Sequence, residues 1–225
     1  MSERLHPIGF PGESDEYRAA RNELLRAEMD LRERLEAVAA LRRRLPRGGR
    51  LKEDYVFEEI SAGAKRRTRF SDLFGPGRRS LVVYSFMYGA AERPCPMCTS
   101  FLDGLDRYAL HVEQRVALAV VAKSPIERIR AWGDERGWTR LRLLSSSANT
   151  YNADYHAETP DGGQIPACNV FTWTDPDIHH FWAAELLYAP TQGHPRHVDL
   201  LWPIWAFFDL TPEGRDSWMP KLAYD

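Results

Sequence analysis

Two of the three cysteines in this chain stand in the stretch Cys95-Pro96-Met97-Cys98. A Cys-x-x-Cys spacing sets the two sulfurs about one helical turn apart, so a mixed disulfide formed at one thiol can be attacked by the other. The run before the pair, residues 80–87, is short, continuous and rich in β-branched and aromatic side chains, and reads as a strand buried on both faces. After it, Phe101, Leu102, Leu105 and Leu110 recur at roughly helical spacing, weakened by Gly104. A cysteine at a helix start meets unpaired backbone N–H groups and the positive end of the macrodipole, both of which favour thiolate over thiol. Cys95 is therefore read as the nucleophile and Cys98 as the resolving thiol. Pro96 suits the first helical position, where its missing N–H costs no internal bond, and Arg93 adds a nearby positive charge.

Other readings of the same residues stay open at this point. One alternative has both cysteines as small hydrophobes packed at a strand–helix junction. Structural zinc needs four ligands, and only Cys168 and scattered histidines are left to complete a set, so neither metal nor cofactor is expected. Cys168 reads as a packed thiol, with an alternative disulfide open if Pro166 is cis and brings it near the pair. Tyr151, Asn152 and Asp154 follow an expected strand at residues 141–144, where α/β sheets carry functional loops, although an Asx turn explains them equally. His179, His180, His194 and His197 are read as solvated, with thiolate tuning as the alternative.

The chain has 225 residues, 44% hydrophobic and 12% aromatic, enough for a sizeable core. Thirty basic and thirty-two acidic residues leave a net charge of −2, so no overall field favours nucleic acid or a membrane surface. The first eighteen residues lack the apolar core of a signal peptide, and no apolar run reaches transmembrane length. With only three cysteines, a reducing compartment is expected, and the cytoplasm is the default.

Residues 15–45 carry an apolar stripe at Tyr17, Ala20, Leu24, Ala27, Leu31, Leu35, Val38, Leu41 and Leu45, which predicts one long amphipathic helix closed by Pro46. Residues 1–50 are thus a helical extension and 51–225 the main domain with an aromatic C-terminal extension. The stripe, close to an a/d repeat, either packs on the parent domain or pairs with a second copy in a homodimer. The basic run Arg42-Arg43-Arg44 reads as a solvated helix end. Small strands are expected around Tyr55-Val56-Phe57 and Thr68-Arg69-Phe70, and a second buried strand at 116–121. Ser124-Pro125-Ile126-Glu127 predicts a capped helix through Arg136. Pro166 leads a strand, and Asp175-Pro176-Asp177 turns it into an antiparallel hairpin ending at Trp182. The alternation is that of an α/β sheet with right-handed crossovers. Trp182, Trp202, Trp205, Phe207, Phe208 and Trp218 are read as core or interface packing, with a substrate groove as the rival.

A central strand leading into Cys-Pro-x-Cys, a βαβ crossover, and Ile165-Pro166 heading a hairpin strand together resemble the thioredoxin superfamily. That resemblance implies a central mixed sheet flanked by helices, with a cis Ile165–Pro166 bond packed beside the Cys95 and Cys98 sulfurs. A closer resemblance covers nearly the whole chain. It rests on Arg42-Arg43-Arg44-Leu45-Pro46, Asp54-Tyr55-Val56-Phe57, Val83-Tyr84-Ser85-Phe86-Met87-Tyr88-Gly89, the Cys95–Cys98 motif, Tyr151-Asn152-Ala153-Asp154-Tyr155 and Asp209-Leu210-Thr211-Pro212-Glu213-Gly214-Arg215. The family is the bacterial thioredoxin-like proteins of unknown function, sometimes labelled dithiol-disulfide isomerases. The chain departs from thioredoxin in having no Trp before Cys95, a longer loop between Met87 and Cys95, and no buried acid on the strand from Leu81 to Phe86.

The expected function is thiol–disulfide exchange at Cys95 and Cys98 on a protein or small-molecule thiol or disulfide. A peroxiredoxin-like thiol peroxidase is the first rival, but no threonine stands three residues before Cys95. The second is a non-catalytic dimeric binding or scaffold protein that keeps the fold.

Overall fold

The computed structural model describes residues 5–90, 93–190, 198 and 201–223. The chain divides into two compact units, Met1–Pro46 and Arg47–Asp225.

The first unit is built on α1 (Asp15–Arg43). Ser14 caps it by accepting a hydrogen bond from the Tyr17 N–H, and Asp15 and Glu16 in the first turn, with Arg42 and Arg43 in the last, complement the dipole. The helix stops two residues short of the predicted end. Pro46 has no N–H to donate and disfavours the helical conformation at Leu45, so Arg44 and Leu45 close the end with tighter bonds to Leu41 and Arg42. Only Arg18 and Asn22 of α1 are buried, Arg18 being held by Glu13 beside the Phe10 ring. The predicted stripe is exposed at Tyr17, Leu24, Leu31, Val38 and Leu41.

The second unit is organised on a sheet of β1 (Val56–Ser61), β2 (Ala64–Arg69), β3 (Ser80–Ser85), β4 (Ala117–Ala122), β5 (Leu143–Ser145), β6 (Ala167–Thr174) and β7 (Asp177–Ala183). Its order is β2-β1-β5-β4-β3-β6-β7. The helices α2 (Pro96–Val112) and α3 (Ile126–Arg136) form the crossovers that keep β3, β4 and β5 parallel, while β6 returns antiparallel beside β3 and folds back as β7. A parallel βαβ unit followed by an antiparallel hairpin on its first strand is the α/β thioredoxin-like architecture that the sequence suggested. β4 is buried along its whole length, as a continuous apolar run between two covered faces requires.

Side-chain alternation divides the core in two. On one face Tyr84, Val120 and Cys168 pack with Cys98, Phe101, Leu102 and Leu105 of α2 and Ile126 and Ile129 of α3. On the other, Leu81, Val83, Val121 and Phe171 pack with Tyr55, Phe57, Phe70 and Tyr151. Of the C-terminal aromatics, Trp202 and Trp205 belong to the first face with Phe208 packed against it, whereas Phe207 and Trp218 are exposed, which corrects the expectation of core packing for these two. Trp202 meets Phe101 at 6.3 Å between ring centroids and Trp205 at 5.1 Å, and the short helix α5 (Ile204–Phe208) carries Trp205 into the core.

Three local expectations are corrected. β5 starts at Leu143 rather than Leu141, because the Asp106 carboxylate accepts the N–H groups of Arg140 and Leu141 (2.9 and 3.2 Å) and holds them off the ladder. α3 has no side-chain cap, since its N-cap residue is Pro125; the Ser124 hydroxyl donates to the Gly89 carbonyl, 2.8 Å away, and accepts from Arg128 Nη1 at 3.1 Å. Among the described residues the cis X-Pro bond is Asp175–Pro176 in the hairpin turn, and Ile165–Pro166 is not cis.

The two edges of the sheet differ. β2 is an outer strand that exposes Lys65, Arg66, Arg67 and Arg69, and it joins β1 through Ala62 and Gly63, both at positive φ, the two-residue geometry that follows strand twist. At the other edge a strap runs along β7, with Gly48 N–H bonded to His180 O, His180 N–H to Gly49 O, and Leu51 N–H to Ile178 O. A Cβ at Gly48 would lie 2.4 Å from the His180 oxygen, so the close approach requires glycine there.

Candidate functional site

Cys95 occupies the N-cap position of α2, with Pro96 as the first helical residue and Cys98 inside the first turn. β3 delivers the chain to this point. The Cys95 N–H donates to the Met87 carbonyl (3.1 Å), and the Cys95 carbonyl accepts from Thr99 N–H (2.9 Å), so the residue is pinned from both sides. The intervening loop is gripped from α3 and the residue before it. Ser124 N–H and Oγ donate to the carbonyls of Tyr88 and Gly89, and Arg128 donates to those of Gly89 and Ala90 while lying 4.7 Å over the Tyr88 ring. The sequence gives no local cue to either residue, since both act across more than thirty positions.

The two sulfurs sit in opposite electrostatic settings. All three cysteines are free thiols, with Cys95 half-buried and Cys98 and Cys168 buried. The Cys95 thiol is lowered to about 6, first by the hydrogen bond from Cys98 and then by the backbone of Cys98 and Met97, against the effect of burial. Those backbone groups belong to the first turn of α2, the physical source anticipated from the sequence. Arg93 is exposed, and the groups that lower Cys95 are Cys98 and Met97 of the α2 first turn. Burial, reinforced by Cys95, pushes the Cys98 thiol well up. The Tyr84 hydroxyl donates to Cys98 Sγ at 3.3 Å.

At neutral pH, then, Cys95 is a partly accessible thiolate and Cys98 a protonated thiol behind it. Alkylation of Cys95 should accelerate as pH rises through about 6 and level off above that value. Below the midpoint the rate should fall about tenfold per pH unit, as the thiolate population does. A midpoint at the usual thiol value would contradict the arrangement, and Cys98→Ala should move it upward by removing the first of the lowering contributions.

Ile165 and Pro166 lie at the sheet end where β3 leaves for Cys95, since Ala167 pairs with Ser85. Ile165 is fixed there by its N–H to the Ala157 carbonyl at 2.9 Å. Cys168 is opposite Tyr84 in the β3/β6 register and shares the core of Cys98; burial pushes its thiol up to about 12. Tyr151, Asn152 and Asp154 belong to the short helix α4 (Tyr151–Asp154). Tyr151 packs in the core of the other face, Asn152 is bonded to Ser146 and Gln164, and Asp154 receives Lys52, Tyr55 and Thr150. That face also holds a cavity of about 570 Å³, lined in part by Asp154, Tyr155, Asn169 and His180, with no cysteine in its lining. His180 bonds the Asn169 carboxamide oxygen, whereas His194 and His197 lie outside the described residues. Among the described residues no group of three or more His, Cys, Asp or Glu is placed to hold a metal ion, and no helix is long and apolar enough to cross a membrane.

A family model described as "Bacterial protein of unknown function (DUF899)" matches residues 6–224. No curated protein matches the chain. Among solved structures it is similar to reduced Prx3 from Vibrio vulnificus in complex with hydrogen peroxide, at 14% identity over 70% of this chain and 97% of that one, with a TM-score of 0.46. AhpC from Enterococcus faecalis is similar at 14% identity over 77% and 98%, with a TM-score of 0.46. The exposed lipoprotein thioredoxin Etrx1 from Streptococcus pneumoniae strain TIGR4 is similar at 13% identity over 66% and 98%, with a TM-score of 0.42.

Proposed function

We propose, for a chain that belongs to the DUF899 family of bacterial proteins of unknown function, that Cys95 and Cys98 form a dithiol–disulfide couple that exchanges with thiol or disulfide substrates. The observation that carries this reading is the pairing of a half-buried, thiolate-prone Cys95 at the N-cap of α2 with a buried Cys98 whose thiol keeps its proton. Cys95 attacks a substrate disulfide, forms a mixed disulfide and expels one substrate thiolate. Cys98 then attacks the Cys95 sulfur, forms the Cys95–Cys98 disulfide and releases the second substrate thiol, so two electrons pass from the protein to the substrate. Run backwards, the same steps introduce a disulfide; repeated in both senses they isomerise one, the direction named by the label seen in the sequence resemblance.

A homodimer through α1 is carried as part of the proposal. Tyr17, Leu24, Leu31 and Val38 are spaced by seven and exposed, as the seam of a two-stranded coil requires.

The deciding experiment is a redox titration against glutathione, read by the mass shift after alkylation, in a Cys168→Ser background. A reversible two-electron transition between about −300 and −120 mV is expected. No transition in that range would remove the exchange reading.

A further inference from the structure

We propose that the Tyr84 hydroxyl is the catalytic donor that activates Cys98 for the resolving attack. The inference rests on the exchange reading above and adds to it the group that governs its second half.

The resolving thiol has a difficulty built into its position. Cys98 is 2% exposed, and the residues around it in the core, Phe101, Leu102, Leu105 and Cys168, carry no charge that would favour a thiolate. In the resting dithiol its proton faces Cys95, the hydrogen bond that also lowers Cys95. Once Cys95 is tied up in a mixed disulfide, its sulfur no longer carries the charge that held that proton, and Cys98 must become nucleophilic within an apolar wall.

Tyr84 is the polar side chain built into that wall. It lies on β3, where alternation turns residue 84 toward α2, and its ring packs against Phe101 with centroids 4.7 Å apart. The ring is 1% exposed, and its hydroxyl donates to Cys98 Sγ at 3.3 Å. A hydrogen bond to an ionised acceptor is about twice as strong as one to a neutral acceptor. The contact therefore gains strength as charge develops on Cys98 and lowers the barrier to the resolving step relative to the resting neutral thiol. Tyr84 does not give up its own proton, because burial holds its phenol well above the usual range. Consistently, the Tyr84 contact and the Met87 backbone are the two influences that favour the Cys98 thiolate, against burial and Cys95.

The balance of the step is complete without another reagent. The Cys98 S–H bond breaks, its electron pair forms the bond to Cys95 Sγ, and the Cys95–substrate bond breaks. The departing substrate sulfur takes that pair and then the proton, leaving as a thiol, while Tyr84 O–H stays intact and reorients with the sulfur charge.

The test is single-turnover reaction with a small chromogenic aromatic disulfide whose two halves are released in succession, in a Cys168→Ser background. For Tyr84→Phe the first release and the alkylation profile of Cys95 should match the parent. The second release should slow by about tenfold or more, the loss expected for one charge-assisted hydrogen bond, and the Cys95 mixed disulfide should accumulate by mass. Phenylalanine keeps the ring against Phe101, so a merely structural role would leave the second release unchanged. Equal second-release rates in a folded Tyr84→Phe protein would overturn the inference and leave the exchange reading intact; a parent protein with no second release would overturn the exchange reading itself. If Tyr84→Phe does not fold, incorporation of 3,5-difluorotyrosine at position 84 supplies a more acidic donor of nearly the same size. It should speed the second release, and an unchanged or slower rate there would equally overturn the inference.

Discussion

Cys95→Ser should reduce disulfide exchange to the background of the uncatalysed reaction, a loss of at least about a hundredfold, because a serine hydroxyl is not ionised at neutral pH and is not a nucleophile without a base. Cys98→Ala should behave differently. The first substrate thiol should still be released once per protein, since Cys95 keeps its N-cap position and the backbone N–H groups of the first turn. Turnover should then stop at a covalent adduct on Cys95, visible by mass and reversible with added dithiol. The measurement is a thiol-coupled insulin-reduction assay beside intact-protein mass spectrometry. Equal activity of Cys95→Ser and the parent would refute the assignment of Cys95. A trapped adduct on Cys98 in Cys95→Ser, with none on Cys95 in Cys98→Ala, would reverse the roles of the two thiols.

The second large effect concerns stability. Phe171→Ala should destabilise the protein by about 3–5 kcal/mol, the range for truncating a fully buried ring. Phe171 is 0% exposed on β6, with Phe70 at 4.7 Å, Tyr155 at 4.9 Å, His180 at 5.3 Å and Tyr151 at 6.3 Å between centroids. These rings join the segment between β2 and β3, the segment after β5 and the β6–β7 hairpin, so the hole cannot be closed by the shift of one neighbour. Urea unfolding should show a lower midpoint with an unchanged slope. A loss below about 1 kcal/mol would mean that the neighbouring rings collapse into the space.

Much of this arrangement is legible from the residues. β3 and β4 declare themselves as continuous apolar runs, the β6–β7 hairpin by its Asp175-Pro176-Asp177 turn, and the position of Cys95 by Pro96 and the helical pattern after it. What the sequence conceals is set by contacts between distant residues. Tyr84 reads as one more aromatic in a buried strand; only its alternation with Leu81 and Val83 hints that it faces α2, and nothing local says that a sulfur will receive its hydroxyl. Ser124 looks like a helix cap because its side chain is suited to one, yet a carbonyl 35 positions away claims the hydroxyl. The isomer of Ile165–Pro166 is not written in the dipeptide, since proline accepts either form. Tyr151, Asn152 and Asp154 follow the strand at the sheet end used by functional loops, but β6 alternation places Asn169 and the nearby cavity on the face opposite Cys168. Position after a strand says which end of the sheet a residue lies at and leaves its face to the packing.

The two outer strands bear on how the protein behaves in a crowded solution. An open strand edge is a template on which another chain can polymerise, and this sheet disarms its two templates by unlike means. Along β2, four cations repel an incoming copy of the same strand, a deterrent that weakens as ionic strength rises. Along β7 the strap from Gly48 to Leu51 occupies the peptide groups directly, a protection independent of salt but dependent on one residue without a side chain. Fibril growth, where it occurs, should therefore start from the β2 side in high salt and from the β7 side when Gly48 is replaced.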